Sequence, residues 1–278
     1  MTSSDISQSV GAFESEIPTF GQRLAIQKRV LAALLLRELK TRFRVGTSRI
    51  GYLWVILETT GFLVVFTAGF ALMHASRVDG IQVVPFLITG FGPFLVFKSI
   101  PDRCLYAIES NKGLLAYSHV KPLDFMIARA ILELFTFVVV MTIIFVGAYF
   151  IGMSDLPEHP VRLLGDVFLA AGLGFGLGLI VASVNIKTAI AESVYEVIAR
   201  VMFVISGEFY VPEMMPQQFR QWVLLNPLLD ITEAARASYT DSFTHVYGNY
   251  TYPVCCTLVL IFIGLIMERA VRKDIEAA

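Results

Sequence analysis

Apolar positions along the chain fall into long runs separated by short polar stretches. A bilayer core of about 30 Å takes roughly 20 apolar residues in a helix, with a range of about 17–25. Five runs come near that length. The first is 50–73, interrupted by Glu58. The second is 83–100, short and broken by Pro85, Gly90, Gly92 and Pro93, with Lys98 near its end. The others are 130–153 with Glu133 near its start, 163–184 with Asp166 near its start, and the charge-free 252–267. A sixth span is expected at 189–206, with Glu192, Glu196 and Arg200 in its first half. At four-residue spacing these three share one helical face. Charges at that depth are expected to face protein or water, not lipid. The next stretch, 207–227, is interrupted by Pro212, Pro216 and Pro227. Irregular backbone at membrane depth is tolerated only when buried in protein or lining a cavity, so a re-entrant or interfacial segment is predicted there.

Ahead of the first span, Leu24, Leu31, Leu35 and Leu39 approximate one helical face from about Phe20 to Phe43. Arg23, Lys28, Arg37, Lys40 and Arg42 occupy other positions. A basic amphipathic helix of this kind lies in the membrane plane at the cytoplasmic surface. The pattern therefore predicts an all-α integral membrane protein. It has a polar tail (1–19), a cytoplasmic interface helix (20–49) and a six-helix transmembrane domain (50–278). The first twenty residues include Asp5, Glu14 and Glu16 and no apolar h-region, so no cleavable signal is expected.

Composition narrows the function classes. Of 278 residues, 56% are hydrophobic and 16% charged, and the net charge is −1. Mean hydropathy is +0.68. A disordered chain, a nucleic-acid binder carried by bulk charge and a soluble enzyme are excluded. The distribution of Lys and Arg sets an expected orientation. Sixteen of the 22 fall in the amino-terminal segment, the connection after the second span, the next connection on that side, and the tail. Arg77, Arg162, Arg220 and Arg236 lie on the other side, and Lys98 and Arg200 within spans. Both termini are thus expected in the cytoplasm. The opposite face carries Asp79, Asp155, Glu158, Glu208, Glu213, Asp230, Glu233 and Asp241.

The connection 101–129 is the longest on the basic side. A short helix is expected from Leu105 to Leu115, and Leu114, Leu115 and Tyr117 are apolar for a solvated connector, which favours a partner-docking site. GLGFGLG, Gly172 to Gly178, lacks the spacing of a phosphate loop. It contains Gly-x-x-x-Gly twice, at Gly172/Gly176 and Gly174/Gly178, which points to close helix packing within the chain or across a dimer. Glu58, near mid-span, is expected to be protonated, paired or lining an aqueous path. A charge at the bilayer centre costs on the order of 2.5–3.5 kcal/mol. Phe209, Tyr210, Phe219, Trp222 and Tyr239 read as an interfacial aromatic belt or as rings that stack on sugars. Enzyme signatures are missing. The three cysteines form neither a disulfide framework nor a metal spacing, and the four histidines read as loop residues.

Two segments carry a family likeness. LLLRELKTRFRVGTSRIGYLWVILE, from Leu34 to Glu58, resembles the entry segment of ABC-2 type export permeases, with Ile50, Gly51, Tyr52, Leu53 and Trp54 opening the first span. SGEFYVPEMMPQQFRQWVLLNPLLDITEAARASY, from Ser206 to Tyr239, resembles the family's re-entrant outer helices and the Asn-Pro-Leu segment after them. The likeness is greatest to permeases that export capsular polysaccharide in Gram-negative bacteria.

That resemblance implies an inner-membrane homodimer with the translocation path between two copies. It implies two cytosolic ATPase subunits on a separate chain, with ATP and Mg there and no cofactor, metal or nucleic acid on this one. It implies a coupling helix in the connection after the second span, best matched by Glu109, Ser110, Asn111, Lys112, Leu114, Leu115 and Tyr117. The interface helix, with Arg37, Lys40 and Arg42, is expected to move with it. The implied substrate is a capsular glycolipid entering from the membrane lipid, lipid end leading. Periplasmic co-polymerase and outer-membrane polysaccharide export proteins are the implied partners. A long polymer needs a continuous polar or aromatic path, for which Trp54, Glu58, Tyr195, Tyr210 and Trp222 are candidates for lining or gating. An O-antigen or teichoic-acid exporter of the same architecture is the alternative, ahead of an integral membrane enzyme of lipid-linked sugars or a secondary transporter.

Overall fold

The computed structural model describes residues 19–43, 57, 60–61, 64–66, 68–69, 77–78, 80–115, 120–188, 190–243 and 248–276. Helix α1 spans Phe20–Phe43. A short antiparallel pair follows, β1 (Arg77–Val78) and β2 (Ile81–Gln82), with Val78 opposite Ile81 and Gly80 at φ +81° in the turn. Only a residue without Cβ adopts that left-handed backbone at no steric cost. Then come α2 (Val83–Leu105), a 3-10 turn (Glu109–Leu114), α3 (Pro122–Phe150), α4 (Pro160–Lys187) and α5 (Ile190–Ile205). A second 3-10 turn (Pro212–Met214) leads to α6 (Gln217–Val223), α7 (Pro227–Tyr239) and α8 (Thr251–Glu276).

Among the described residues, four helices are long and apolar enough to cross a membrane: α2, α3, α4 and, over Thr251–Arg272, α8. The described residues of the predicted first span, from 57 to 69, are helical, and the remainder of 50–73 lies outside the described residues. Helix α5 occupies the position where a sixth span is predicted; with 16 residues it is shorter than those four helices, α2, α3, α4 and α8.

Three expectations need correction. The second span is not broken: α2 runs through Pro93 and Pro101 without interruption to Leu105. Proline removes a backbone bond and crowds the carbonyl four residues back, but α2 is enclosed by α3, α4 and α7, whose packing holds it helical. The third span starts at Pro122 rather than 130. The connection after α2 is consequently 106–121, shorter than the expected 101–129. Proline at the first turn opens α3, α4 and α7, where its missing N–H has no intrahelical partner anyway. Asn226 caps α7 by accepting the Leu228 N–H at 3.0 Å.

Helix α4 is the central element and packs on α2, α8 and α7. Its glycines make this possible. A Cβ on Gly174 would stand 2.6 Å from the Phe97 carbonyl, and one on Gly178 3.2 Å from Cys104 Cβ, both on α2. A Cβ on Gly172 would meet Thr257 at 3.0 Å and one on Gly176 the Ile261 nitrogen at 2.8 Å, both on α8. The two interleaved Gly-x-x-x-Gly pairs thus face two different helices of the same chain. Without Cβ atoms the backbones approach closely, and dispersion contacts replace the hydrophobic drive that lipid does not supply.

Candidate functional site

The molecule has two chemically distinct ends. At one, α1 meets the start of α3 and the close of α2. Gln27 donates to the Asp124 carboxylate, which also accepts the Lys121 N–H at 2.9 Å and so caps α3. Arg129, further along α3, pairs with Glu38 of α1 at 3.2 Å and donates to the Arg103 carbonyl of α2 at 2.8 Å. Arg103 pairs in turn with Glu133 at 3.4 Å. One guanidinium therefore joins three elements, and Asn111 of the 3-10 turn borders the same small cleft with Leu34, Phe125 and Ala128.

The connection itself presents Glu109, Ser110, Lys112 and Gly113 to solvent, with Leu114 and Leu115 half-buried. Asn111 turns inward and donates to the Ala107 carbonyl at 2.7 Å, which fixes the turn from inside. A cavity of about 420 Å³ opens beneath it, lined by Leu105, Ile108, Glu109, Lys112, Leu115 and the α4 residues Asn185 and Ile186. Tyr117 lies outside the described residues. Arg37 and Lys40 are exposed on α1, and Arg42 lies in the last turn of that helix.

At the opposite end the chain leaves α5 and turns sharply at Gly207, φ +77°. Arg236 of α7, 0% exposed, holds this turn. Its guanidinium donates to the carbonyls of Gly207 and Tyr210 (3.0 Å) and stands 3.8 Å above the Phe86 ring. Gly90 of α2 leaves the room required, since a Cβ there would stand 2.8 Å from the Glu208 carbonyl. Phe209 closes the turn against Phe66, Phe91 and Phe203, at centroid distances of 5.5, 5.2 and 5.5 Å. Burial pushes the Glu208 carboxyl up to about 8 and that of Asp230 up to about 6, the first against the opposing pull of Arg236.

This end departs from the sequence-based picture. Arg236, Glu208, Asp230 and Glu233 are buried and are not part of an exposed charged face. Asp155, Glu158, Glu213 and Asp241 are exposed there. Two rings of the expected water-facing belt also turn inward: Phe209 is half-buried in its aromatic cluster, and Tyr239 is buried and stacks on Phe145 at 5.8 Å. Asp166 of α4 accepts from Ser238 at 2.6 Å and from Tyr250 at 2.9 Å, joining α4, α7 and the start of α8. Glu158, His159 and Asp241 gather at the surface, but the Glu158 carboxylate already accepts the Asp241 N–H at 2.6 Å, tying the turn before α4 to the end of α7.

Of the candidate path residues, Trp54 and Glu58 lie outside the described residues. Tyr195 is 1% exposed and donates to the Lys98 carbonyl at 2.8 Å, so it fastens α5 to α2 and lines no open surface. Tyr210 is half-buried beside the Arg236 clamp, whereas Trp222 is 68% exposed on α6. The role of Arg236 and the Asp166 hub were missed because their partners lie far away in sequence. The only available signal was a charged residue inside an otherwise compact segment.

Residues 29–240 match the family model described as ABC-2 type transporter. The chain is 31% identical over 258 residues to the capsule polysaccharide export inner-membrane protein CtrC of Neisseria meningitidis serogroup B, covering 93% of this chain and 97% of that one. It is 34% identical over 245 residues to the polysialic acid transport protein KpsM of Escherichia coli, covering 88% and 94%. To the capsule polysaccharide export inner-membrane protein BexB of Haemophilus influenzae it is 29% identical over 258 residues, covering 93% and 97%.

Proposed function

The chain belongs to the ABC-2 type transporter family, and on that premise we propose that it is the transmembrane permease of an exporter that moves lipid-linked capsular polysaccharide across the inner membrane. Likeness to capsule polysaccharide export proteins over nearly the full length of both chains carries this reading. The permease acts as a homodimer and takes its power from two ATPase subunits on a separate chain. Each copy crosses six times, through the segment around 57–69 and helices α2, α3, α4, α5 and α8, with both termini in the cytoplasm. The basic composition of α1 and the charge asymmetry of the connections support that orientation.

The exposed 3-10 turn Glu109–Leu114 is the docking element for the ATPase. Closure of the ATPase pair pushes this turn and α1 together, because Arg129 ties α1, α2 and the start of α3 into one unit. Displacement at that end moves α2 against α5 and opens the path between copies. At the opposite end the Arg236 clamp holds the outer turn in a fixed place until the helices beneath it shift. The exposed carboxylates there face the periplasmic and outer-membrane export partners.

Restoring capsule to a strain that lacks its own export permease, but keeps a cognate ATPase, tests the proposal. Expression of this chain is expected to restore surface polysaccharide. Lys112→Glu, or Leu114→Ala with Leu115→Ala, is expected to lower export and coupled ATP hydrolysis while leaving the amount inserted in the membrane unchanged. Full export in those variants contradicts the docking assignment.

A further inference from the structure

Helix α5 divides its surface into three arcs. Ala191, Tyr195 and Ala199 are buried against the protein. Val194, Val197, Val201 and Val204 form an exposed apolar arc. Between them runs a polar arc, Glu192, Glu196 and Arg200, of which Glu192 and Arg200 are exposed and Glu196 half-exposed. Lys98 and Asp102 on α2 and Tyr106, the residue that ends it, repeat the same four-residue spacing, with Lys98 and Asp102 paired at 2.8 Å and about one-third exposed.

The two helices run in opposite directions, and their polar rows face each other. Glu192 lies beside the Tyr106 hydroxyl. The Tyr195 bond to the Lys98 carbonyl registers the rows. Each row rises eight residues, about 12 Å at ~1.5 Å per residue, from the α1 end toward the membrane centre. Charges at such depth are expensive unless they face protein or water, and among the described residues Glu192 and Arg200 are exposed and Lys98, Asp102 and Glu196 partly so. A seam between copies favours small or apolar side chains, and α5 already offers a separate apolar arc for lipid or a second copy.

We propose that this pair of polar rows is the wet cytoplasmic vestibule where the hydroxyl-rich sugar chain enters the translocation path. The proposal rests on the export function above and adds a substrate-contacting surface to it. Carboxylates, an ammonium, a guanidinium and a phenol supply both donors and acceptors to sugar hydroxyls. The two cations and three carboxylates nearly cancel, so a charged polymer is not held too tightly to move on, as conduction requires.

Single cysteines at 192, 196 and 200, and for comparison at 194, 197 and 201, test it in a Cys255→Ser, Cys256→Ser background. Each variant is expressed with the ATPase and treated, in permeabilised cells, with a membrane-impermeant cationic thiol reagent. The polar-arc positions are expected to react roughly tenfold or more faster than the apolar-arc positions, since only the former meet water. Glu196→Leu and Arg200→Leu are expected to cut export at least about fivefold with ATP hydrolysis retained, as loss of path contacts rather than of power predicts. Val197→Leu is expected to export normally. Equal, slow labelling of both arcs overturns the vestibule, as does fast labelling with undiminished export in the leucine variants. A parent chain that restores no capsule sinks the export function itself; a parent that restores it, with both leucine variants indifferent, sinks only the vestibule.

Discussion

Helix α7 carries Asp230, Thr232, Glu233, Arg236 and Ser238, yet every residue from Leu228 to Tyr239 is buried. Helix α5 is far more apolar, yet it buries only Ala191, Tyr195 and Ala199. The usual relation between polarity and burial is reversed between the two. Three polar side chains of α7 are hydrogen-bonded within the fold: Ser238 to Asp166, Thr232 to the Leu228 carbonyl, and Arg236 to the 207–210 turn, while burial alone raises the Asp230 carboxyl. Satisfied polar groups are tolerated inside and unsatisfied ones are costly. In α5 the valines at 194, 197, 201 and 204 are exposed, which is costless if, as proposed above, this helix stands in the bilayer. Burial in a membrane protein follows the availability of partners, and hydropathy alone does not report it.

The sharpest way to break this contrast is Arg236→Ala. It strips the donor from the Gly207 and Tyr210 carbonyls and removes the cation beside Phe86. Removing one member of a buried charged network costs on the order of 3–5 kcal/mol, so the variant is expected to lose its folded, monodisperse form in detergent. Arg200→Ala on α5 is expected to melt like the parent. Similar melting of the two variants removes the distinction.

Helix α4 offers the next test. Gly174→Ala forces a Cβ against the Phe97 backbone, and overpacking of this sort costs about 1–3 kcal/mol. A Cβ on Gly165 would meet nothing within 4 Å. Gly165→Ala is expected to be neutral or to stabilise by up to about 1 kcal/mol, since alanine is the better helix former. Thermal melting of the two alanine variants compares them directly.

A smaller effect is expected from acid–base chemistry. The Glu208 carboxyl is raised from 4.5 to about 8, so the folded protein binds its proton more readily than the unfolded chain. Its contribution to stability is fully present below the ordinary carboxylate range and is lost as pH rises through about 8. Glu208→Gln is expected to match the parent near pH 5 and to melt higher than the parent at pH 9. Parallel melting curves for parent and variant across that range contradict the burial of an uncharged acid at this turn.

Four spans were legible because long apolar runs leave few alternatives, and the helices α4 and α5 were read to within a few residues. The start of α3 was not. Asp124 and Arg129 lower the hydropathy of its first turns, but the Lys121 N–H and Glu38 engage them in the fold. The glycine pairs of α4 were visible as spacing, while their allegiance to two different neighbours was not, since spacing on one helix says nothing about what lies across it. At the end that carries the Gly207 turn, the count of acidic residues suggests an exposed charged face. Asp230 and Glu233 turn inward because α7 docks between α2 and α4, and Glu208 because Arg236 of α7 holds the Gly207 turn against Gly90, long-range contacts with no local signature.

Transport by purified components tests the central claim most directly. The permease is placed in lipid vesicles with lipid-linked capsular glycan, with and without its ATPase. Movement of glycan across the bilayer is expected only when the ATPase and hydrolysable ATP are both present. Equal movement by the permease alone, driven by an ion gradient, contradicts the account.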